Sequence, residues 1–241
     1  MRGSWSRSFC SSNSVREQIT ANNLIRGRRT VDANAFAVGQ KVPHSIVVKA
    51  LEAAVYAPNH KRTEPWRFAV LGTHTAAELC RLIEEHIGGQ KGEAKRKSWE
   101  SVPTWIVAFV RGQSVTEVHT QNREGATVMS YTQLEDYAAT ACAIQNAMLS
   151  MHAAGVGTKW STGGITRKSE FRELVQAESH ELVVGLLMCG ILKDNTKVKM
   201  PRKRRPLLTS SAEDDEGKER QLIGKGAAAT RNILPVLTYL D

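Results

Sequence analysis

The sequence predicts a mixed fold of helices and strands packed around one buried helix. Three observations point there. Ser14-Val15-Arg16-Glu17, Thr75-Ala76-Ala77-Glu78 and Thr132-Gln133-Leu134-Glu135 have the form of capping boxes, in which a hydroxyl and a carboxylate satisfy amide groups at a helix start. Apolar runs of strand length at 66–71, 104–110 and 182–192 alternate with those helices, and the latter two are continuous enough for strands covered on both faces. Finally, residues 134–154 read as a long helix with alanines on more than one side, a pattern that belongs in the centre of a fold.

A chain of 241 residues suits one large domain or two small ones, with enough length to bury a substantial core. No stretch reaches the roughly 20 apolar residues that cross a bilayer, which argues against a membrane-spanning protein. Cys10, Cys80, Cys142 and Cys189 are far apart and form neither a C-x-x-C pair nor a cluster with histidine, so reduced thiols are expected and no metal site is. The net charge of +9 divides unevenly: residues 1–29 carry +5 and residues 193–205 carry +6, which leaves −2 for the rest. A near-neutral body with two basic extensions argues against a nucleic-acid-binding face on the fold itself.

Taken in order, residues 1–16 are rich in arginine and serine and lack acids, the composition of an organelle transit peptide and equally of a disordered N-terminus. The first reading places the protein in a mitochondrion or plastid, the second in the cytoplasm. The first capping box opens a helix that ends near Gly27 and presents Arg28, Arg29 and Thr30 at its exit. Two guanidinium groups and a hydroxyl there suit an anion, although on these residues alone a solvated pair is the simpler reading. Residues 43–56 fit a helix with Val47, Val48, Leu51, Ala54 and Val55 on its core face.

The stretch Ala57-Pro58-Asn59-His60-Lys61-Arg62-Thr63-Glu64-Pro65-Trp66-Arg67-Phe68 follows. Two prolines stiffen it and remove donors, so its polar groups need partners outside a regular ladder: a loop that binds something, or a solvated connection. A second helix runs from the box at Thr75 to Gly88-Gly89, with Leu79, Leu82 and Ile83 inward. Residues 90–100 read as polar and flexible. The long helix stops at Gly155-Val156-Gly157, and Thr158-Lys159-Trp160-Ser161-Thr162-Gly163-Gly164 reads as a glycine-rich connection that lets backbone approach a flat ligand, or simply as a helix stop. A short helix at 169–176 precedes the last buried strand. Residues 193–205 are basic, 210–219 are acidic and polar enough to be a disordered insertion, and 233–240 are apolar with Pro235 among them, as in an edge strand or an extended arm.

Three of these motifs, Arg28-Arg29-Thr30, Ala57-Pro58-Asn59-His60-Lys61 with Pro65-Trp66-Arg67-Phe68, and Gly155-Val156-Gly157 leading to Trp160-Ser161-Thr162-Gly163, together resemble the FMN-dependent nitroreductase family. The version they are most similar to is the compact bacterial NAD(P)H nitroreductase type, whose loop also reads A-P-x-H-K followed by P-W-R-F. The resemblance covers about residues 20–192. It implies an α+β fold of nitroreductase type, a mixed β-sheet wrapped by helices, built as an intertwined homodimer with FMN at the interface. On that reading residues 17–192 form the FMN-binding domain, 193–232 an insertion, and 233–241 the C-terminal arm. Carried over by motif, Arg28, Arg29 and Thr30 hold the flavin from one chain while Trp160, Ser161, Thr162 and Gly163 approach its ring. Tyr56 and His60 come from the other chain, with Tyr56 standing where the compact type has a basic residue. Ser150, Met151, His152, Ala153, Ala154 and Gly155 match a segment placed around the nicotinamide cofactor. Lys199 and Arg202 are the candidates for a basic side chain on the flavin phosphate.

The implied activity is ping-pong transfer of hydride from NAD(P)H through FMN to a small acceptor such as a nitroaromatic or quinone. A fixed arginine stabilises the negative charge that reduced FMN carries near N1 and O2, so the protein itself need supply no catalytic nucleophile. That agrees with the absence of a G-x-S-x-G elbow, an H-E-x-x-H helix and a G-x-x-x-x-G-K-[ST] loop. Two alternatives stand beside it: a related flavoenzyme that performs reductive dehalogenation or flavin fragmentation, and a non-catalytic binding module that uses its basic tail. The basic run lacks the interleaved aromatic residues expected of a nucleic-acid partner.

Overall fold

The computed structural model describes residues 21–112 and 131–193. Four strands among them, β1 (Trp66–Val70), β2 (Thr104–Val110), β3 (Val156–Ser161) and β4 (Leu182–Ile191), form one sheet in the order β1-β2-β4-β3. Neighbouring strands are antiparallel, and the parallel component expected of a mixed sheet is the isolated pairing of Thr30 with Thr158. The helices are α1 (21–27), α2 (His44–Ala54), α3 (Thr73–Ile87), α4 (Gly89–Glu100), α5 (Tyr131–Ala153) and α6 (Ser169–Leu174). Helices lie on both sides of the sheet, the α+β arrangement the sequence led us to expect.

Strands β2 and β4 form its middle and are buried along nearly their whole length, which is why their sequences are continuously apolar. Trp105, Val107, Phe109, Leu186 and Met188 pack on one face against Leu79, Cys80 and Ile83 of α3 and Trp99 of α4. Ile106, Ala108, Val110, Leu187 and Cys189 pack on the other against Val47 and Ala50 of α2 and Ile144, Met148 and Met151 of α5. A bulge in β4 opposite Ala108 and Phe109 re-phases the alternation, so that Val183 and Leu186 share a face. Burial pushes the thiols of Cys80 and Cys189 up to about 11 and about 12, which makes both packing groups rather than nucleophiles.

Several sequence expectations change here. Residues 90–100 are helical, not flexible. Arg96 pairs with Glu84 at 2.7 Å and with Glu100 at 2.5 Å, Lys97 pairs with Glu93 at 2.6 Å, and Trp99 is buried with its ring centre 5.0 Å from that of Trp105. Gly92 lets α4 pass close to α3, since a Cβ there would lie 2.4 Å from the carbonyl oxygen of Glu84. Helix α3 starts at Thr73 behind Gly72, so Thr75 lies inside it and caps nothing, while Glu78 pairs with Arg81. Thr132 likewise lies within α5, which is already helical at Tyr131. Val48 and Val55 of the expected α2 core face are exposed. Helix α5 is buried along one face only, through residues such as Ala139, Ala143, Ala147 and Met151, while Ala138 and Cys142 face outward.

The segment after Glu64 is held by an ion pair between half-buried Arg67 and a buried carboxylate. Arg67 on β1 lies over the Phe109 ring of β2, 3.8 Å from its centre, and reaches Glu181 at the foot of β4, with Nε donating to Oε1 at 2.6 Å. Glu181 is 1% exposed and also accepts from the amide of Glu178 at 3.1 Å. Burial alone would raise its pKa, but the hydrogen bonds from Arg67 and the Glu178 amide and the charges of Arg67 and Arg111 hold it below the ordinary carboxylate range. A depressed carboxyl contributes stability that is complete above its unfolded pKa and is lost as pH falls through its folded one. Arg67→Met leaves the buried carboxylate with only the Glu178 amide and the more distant Arg111, and we expect a loss of about 1–3 kcal/mol at pH 7. Urea unfolding at pH 7 and near pH 3 checks this: the deficit should shrink on the acid side as Glu181 protonates, and a deficit independent of pH would contradict it.

Candidate functional site

The residues expected at the cofactor gather in two places, set by the two ends of α5. At its C-terminal end, α1 closes with the Arg28 amide donating to the Leu24 carbonyl at 3.1 Å, and the chain then runs beside β3. Thr30 pairs with Thr158, and the Val31 amide donates to the Thr158 carbonyl at 3.0 Å. Arg28 and Arg29 are therefore fixed at the edge of β3. Arg29 is half-buried; its Nη1 donates to the carbonyls of Arg26 and Arg28, the latter at 2.9 Å, while its Nε is buried with no hydrogen-bond partner among the described residues. The Thr158 hydroxyl, in a residue 1% exposed, is likewise buried and unpartnered. Buried polar atoms left this way are costly, and they mark where a polar group from outside the described residues would fit.

The last turn of α5 meets this corner. His152 is half-buried against Gly27, where a Cβ would stand 2.9 Å from its Nε2. Burial pushes the His152 pKa down, and the charges of Arg28 and Arg29 push it the same way. The segment expected around the nicotinamide thus lies beside the arginines expected on the flavin. Its members differ: Ser150 and His152 are half-buried, Ala153, Ala154 and Gly155 are exposed, and Met151 is fully buried in the core beneath the sheet, so Met151 is a packing residue and not a ligand contact.

The glycine-rich stretch is also recast. Residues 156–161 are strand β3, not a loop. Gly157 and its register partner Gly190 make room for Phe36, since a Cβ on either would lie 3.3 or 2.6 Å from the Phe36 ring. Gly157 therefore serves packing. Trp160 is turned down onto the sheet over Gly185, its Nε1 donating weakly to the Val184 carbonyl at 3.4 Å. Ser161 ends the strand half-buried, and Thr162, Gly163 and Gly164 are exposed. Thr166 secures the turn by donating from its amide and hydroxyl to the Gly163 carbonyl, at 3.0 and 2.9 Å.

Tyr56 and His60 lie at the other end of α5. Ala57 packs with Ala139 and Ala143, and the Thr63 hydroxyl donates to Asp136 Oδ1 at 2.7 Å. Asp136 and His152 are separated by sixteen residues of helix, about 24 Å at the standard rise. One chain therefore does not bring Tyr56 and His60 to the arginine corner. Tyr56 is 85% exposed, and Lys61, Arg62 and Glu64 adopt φ of 52°, 55° and 43°, left-handed values that non-glycine residues rarely hold. Lys199 and Arg202, residues 1–16 read as a transit peptide or a disordered N-terminus, the box at Ser14, all but the first residue of the expected insertion at 193–232 and the expected arm at 233–241 lie outside the described residues.

Thr158 lies in the glycine-rich stretch and Gly27 at the expected helix end, but the contacts that give them their places are not legible in the sequence. The first has meaning only through its pairing with Thr30, the second only through the approach of His152, and neither contact is local. A cleft of about 480 Å³ opens between the starts of α2 and α3 and the end of α4, near Val47, Gly72 and Trp105, and contains none of the expected cofactor residues. We place the candidate site at the arginine corner because Arg28 and Arg29 lie there beside β3, together with buried polar atoms that have no hydrogen-bond partner among the described residues.

A family model described as "Nitroreductase family" matches residues 25–191. The chain is 26% identical over 193 residues to "Putative NAD(P)H nitroreductase YfhC" of Bacillus subtilis (strain 168), covering 80% of this chain and 93% of that one. Among solved structures, a nitroreductase-like family protein from Bacillus cereus superposes with a TM-score of 0.63 at 25% identity, covering 81% of this chain and 96% of the other. An oxidized iodotyrosine deiodinase bound to FMN and 3-iodo-L-tyrosine superposes with a TM-score of 0.55 at 18% identity, over 80% of this chain and 99% of that one.

The seat of Trp160 is directly testable. In Gly185→Ala the new Cβ would stand 2.3 Å from Trp160 Nε1 and 2.9 Å from the Ser161 carbonyl oxygen, so both must move. We expect a loss of about 1–3 kcal/mol by urea unfolding, together with a change in tryptophan emission. An unchanged midpoint would mean that Trp160 does not rest on this glycine.

Proposed function

Since the chain belongs to the nitroreductase family, we propose that it is an FMN-dependent oxidoreductase that draws on NAD(P)H. The observation that carries this reading is the arginine corner: Arg28 and Arg29 fixed beside β3, with the Arg29 Nε and the Thr158 hydroxyl buried and without a hydrogen-bond partner among the described residues. A flavin phosphate or the anionic edge of its ring supplies the acceptors that such donors lack. When bound, FMN supplies the hydride chemistry, passing hydride from NAD(P)H to an oxidised acceptor such as a nitroaromatic or quinone in ping-pong order.

The chain's own residues have separate tasks. Arg28, Arg29 and Thr30 hold the flavin, and the exposed turn Thr162-Gly163 offers backbone donors close to it. Ser150 and His152 border the same corner. Tyr56 and His60 serve the site of a second copy. What supports this is that α5 has apolar residues nearly all round yet is buried on one face, and that Val48, Val55 and Tyr56 are exposed on and just beyond α2. A two-fold partner covering those surfaces would bring its loop at residues 57–63 toward the arginine corner.

A second reading is reductive dehalogenation, favoured by the similar fold of the FMN-bound deiodinase. Acceptor assays separate the two: loss of a nitroaromatic chromophore supports the first, and release of halide from a halogenated phenol supports the second.

The purified protein is expected to be yellow, with a flavin spectrum that bleaches on adding NADH or NADPH without oxygen. A colourless protein that takes up no added FMN would overturn the proposal. Removing one charge-assisted donor costs about 1.5–3 kcal/mol, so Arg29→Ala should weaken FMN binding by about tenfold or more, while Lys91→Ala on exposed α4 should leave it unchanged. Equal binding by both variants in a flavin fluorescence titration would remove the arginine corner as the cofactor site.

A further inference from the structure

His152 is a titratable group that the proposed hydride chemistry does not use, placed where an anion is expected. Its ring is half-buried in the last turn of α5, and it can sit there because Gly27 has no side chain to exclude it. Arg28 and Arg29 leave α1 immediately after that glycine and act on the imidazole. From Tyr137 to its end at Ala153 helix α5 contributes no carboxylate. On β3, Lys159 is occupied by Asp32, with Nζ to Oδ1 at 2.6 Å. Three nitrogen-bearing side chains thus share one corner, and the charges that shift the histidine are those of Arg28 and Arg29.

We propose that His152 joins Arg28 and Arg29 in holding the phosphate of FMN, and that it takes up a proton as the phosphate binds. This rests on the reading that the arginine corner is the FMN site. Phosphate binding and protonation of His152 are linked. Without a ligand, burial and two neighbouring guanidinium groups favour the neutral ring, which is the direction in which the His152 pKa is displaced. A phosphate carries between one and two negative charges near neutral pH and reverses the local field, so the imidazolium becomes the favoured form and donates to a phosphate oxygen. One proton moves from solvent to a ring nitrogen of His152, and no other bond forms or breaks. The consequence is a cofactor affinity that depends on pH through a protein group, stronger on the acid side of neutrality.

The test is titration of apoprotein with FMN between pH 6.5 and 8.5, where the ligand phosphate is mostly dianionic, for the wild type and His152→Gln, with riboflavin as the ligand lacking phosphate. Wild-type affinity for FMN should strengthen several-fold per pH unit as pH falls, up to the tenfold limit for one proton, while His152→Gln should show a flat profile and riboflavin should show none of the dependence. Calorimetry of the wild type in two buffers of different ionisation enthalpy reads the proton uptake directly and needs no variant. Parallel pH slopes in wild type and variant, no proton uptake by the wild type, or an equal slope with riboflavin would each overturn the role given to His152. A folded protein that binds neither ligand at any pH would instead remove the FMN site itself.

Discussion

The position of Arg28 and Arg29 depends on how residues 30–37 are sewn to the edge of the sheet. Thr30 pairs with Thr158, Val31 donates to the Thr158 carbonyl, and Phe36 bridges to Leu192 while the Ala37 amide donates to the Ile191 carbonyl at 2.8 Å. The side chain of Phe36 makes the attachment specific. It is fully buried, and it fits because Gly157 and Gly190, register partners on neighbouring strands, leave a slot of its shape. Removing a Cβ from each of two strands weakens them locally, but it fixes the phase of the attached segment and so the place where α1 releases its arginines. The polar corner is thus positioned by an apolar lock some residues away.

Helix α5 is the second constraint. Its inward face joins the core beneath β2 and β4, so its two ends are held apart, with His152 and the arginines at one and Asp136 with the loop of Tyr56 and His60 at the other. The Arg67–Glu181 pair has a different part. It ties β1, and hence the exit of that loop, to the foot of β4 through a buried carboxylate, so the Pro65-Trp66-Arg67-Phe68 motif serves the fold. The loop before it keeps its strained left-handed residues exposed, which is where a contact with another molecule would be made.

What was legible in the sequence follows the range of the interactions. The strands and α5 announce themselves through continuous apolar runs, and Gly88 and Gly155 mark helix ends by their backbone demands at φ of 72° and 77°. The three motifs that carry the family resemblance could be read because each lies within a few residues. The failures involve partners distant in sequence. Residues 90–100 look too polar to be ordered until Glu84 and Trp105 are brought beside Arg96 and Trp99. Gly157 looks like a ligand-facing glycine until Phe36 arrives, and Met151 looks like a neighbour of the nicotinamide until the helix is rolled onto its core face. Thr75 has the right spacing for a cap but the helix begins two residues earlier, a reminder that a capping box competes with every other start the tertiary fold can support.

The central claim is that one cofactor site needs both ends of α5, supplied by two copies of the chain. Complementation tests it most directly. Arg29→Ala removes the corner and His60→Ala removes the loop, so each variant alone should bind FMN poorly at both of its sites. Refolded together from an equal mixture, they should recover about one quarter of the wild-type FMN sites, because about half of the dimers are mixed and each mixed dimer has one intact site. No recovery in a mixture shown to exchange chains, or a monomer that binds FMN as tightly as the wild-type protein, would contradict the account.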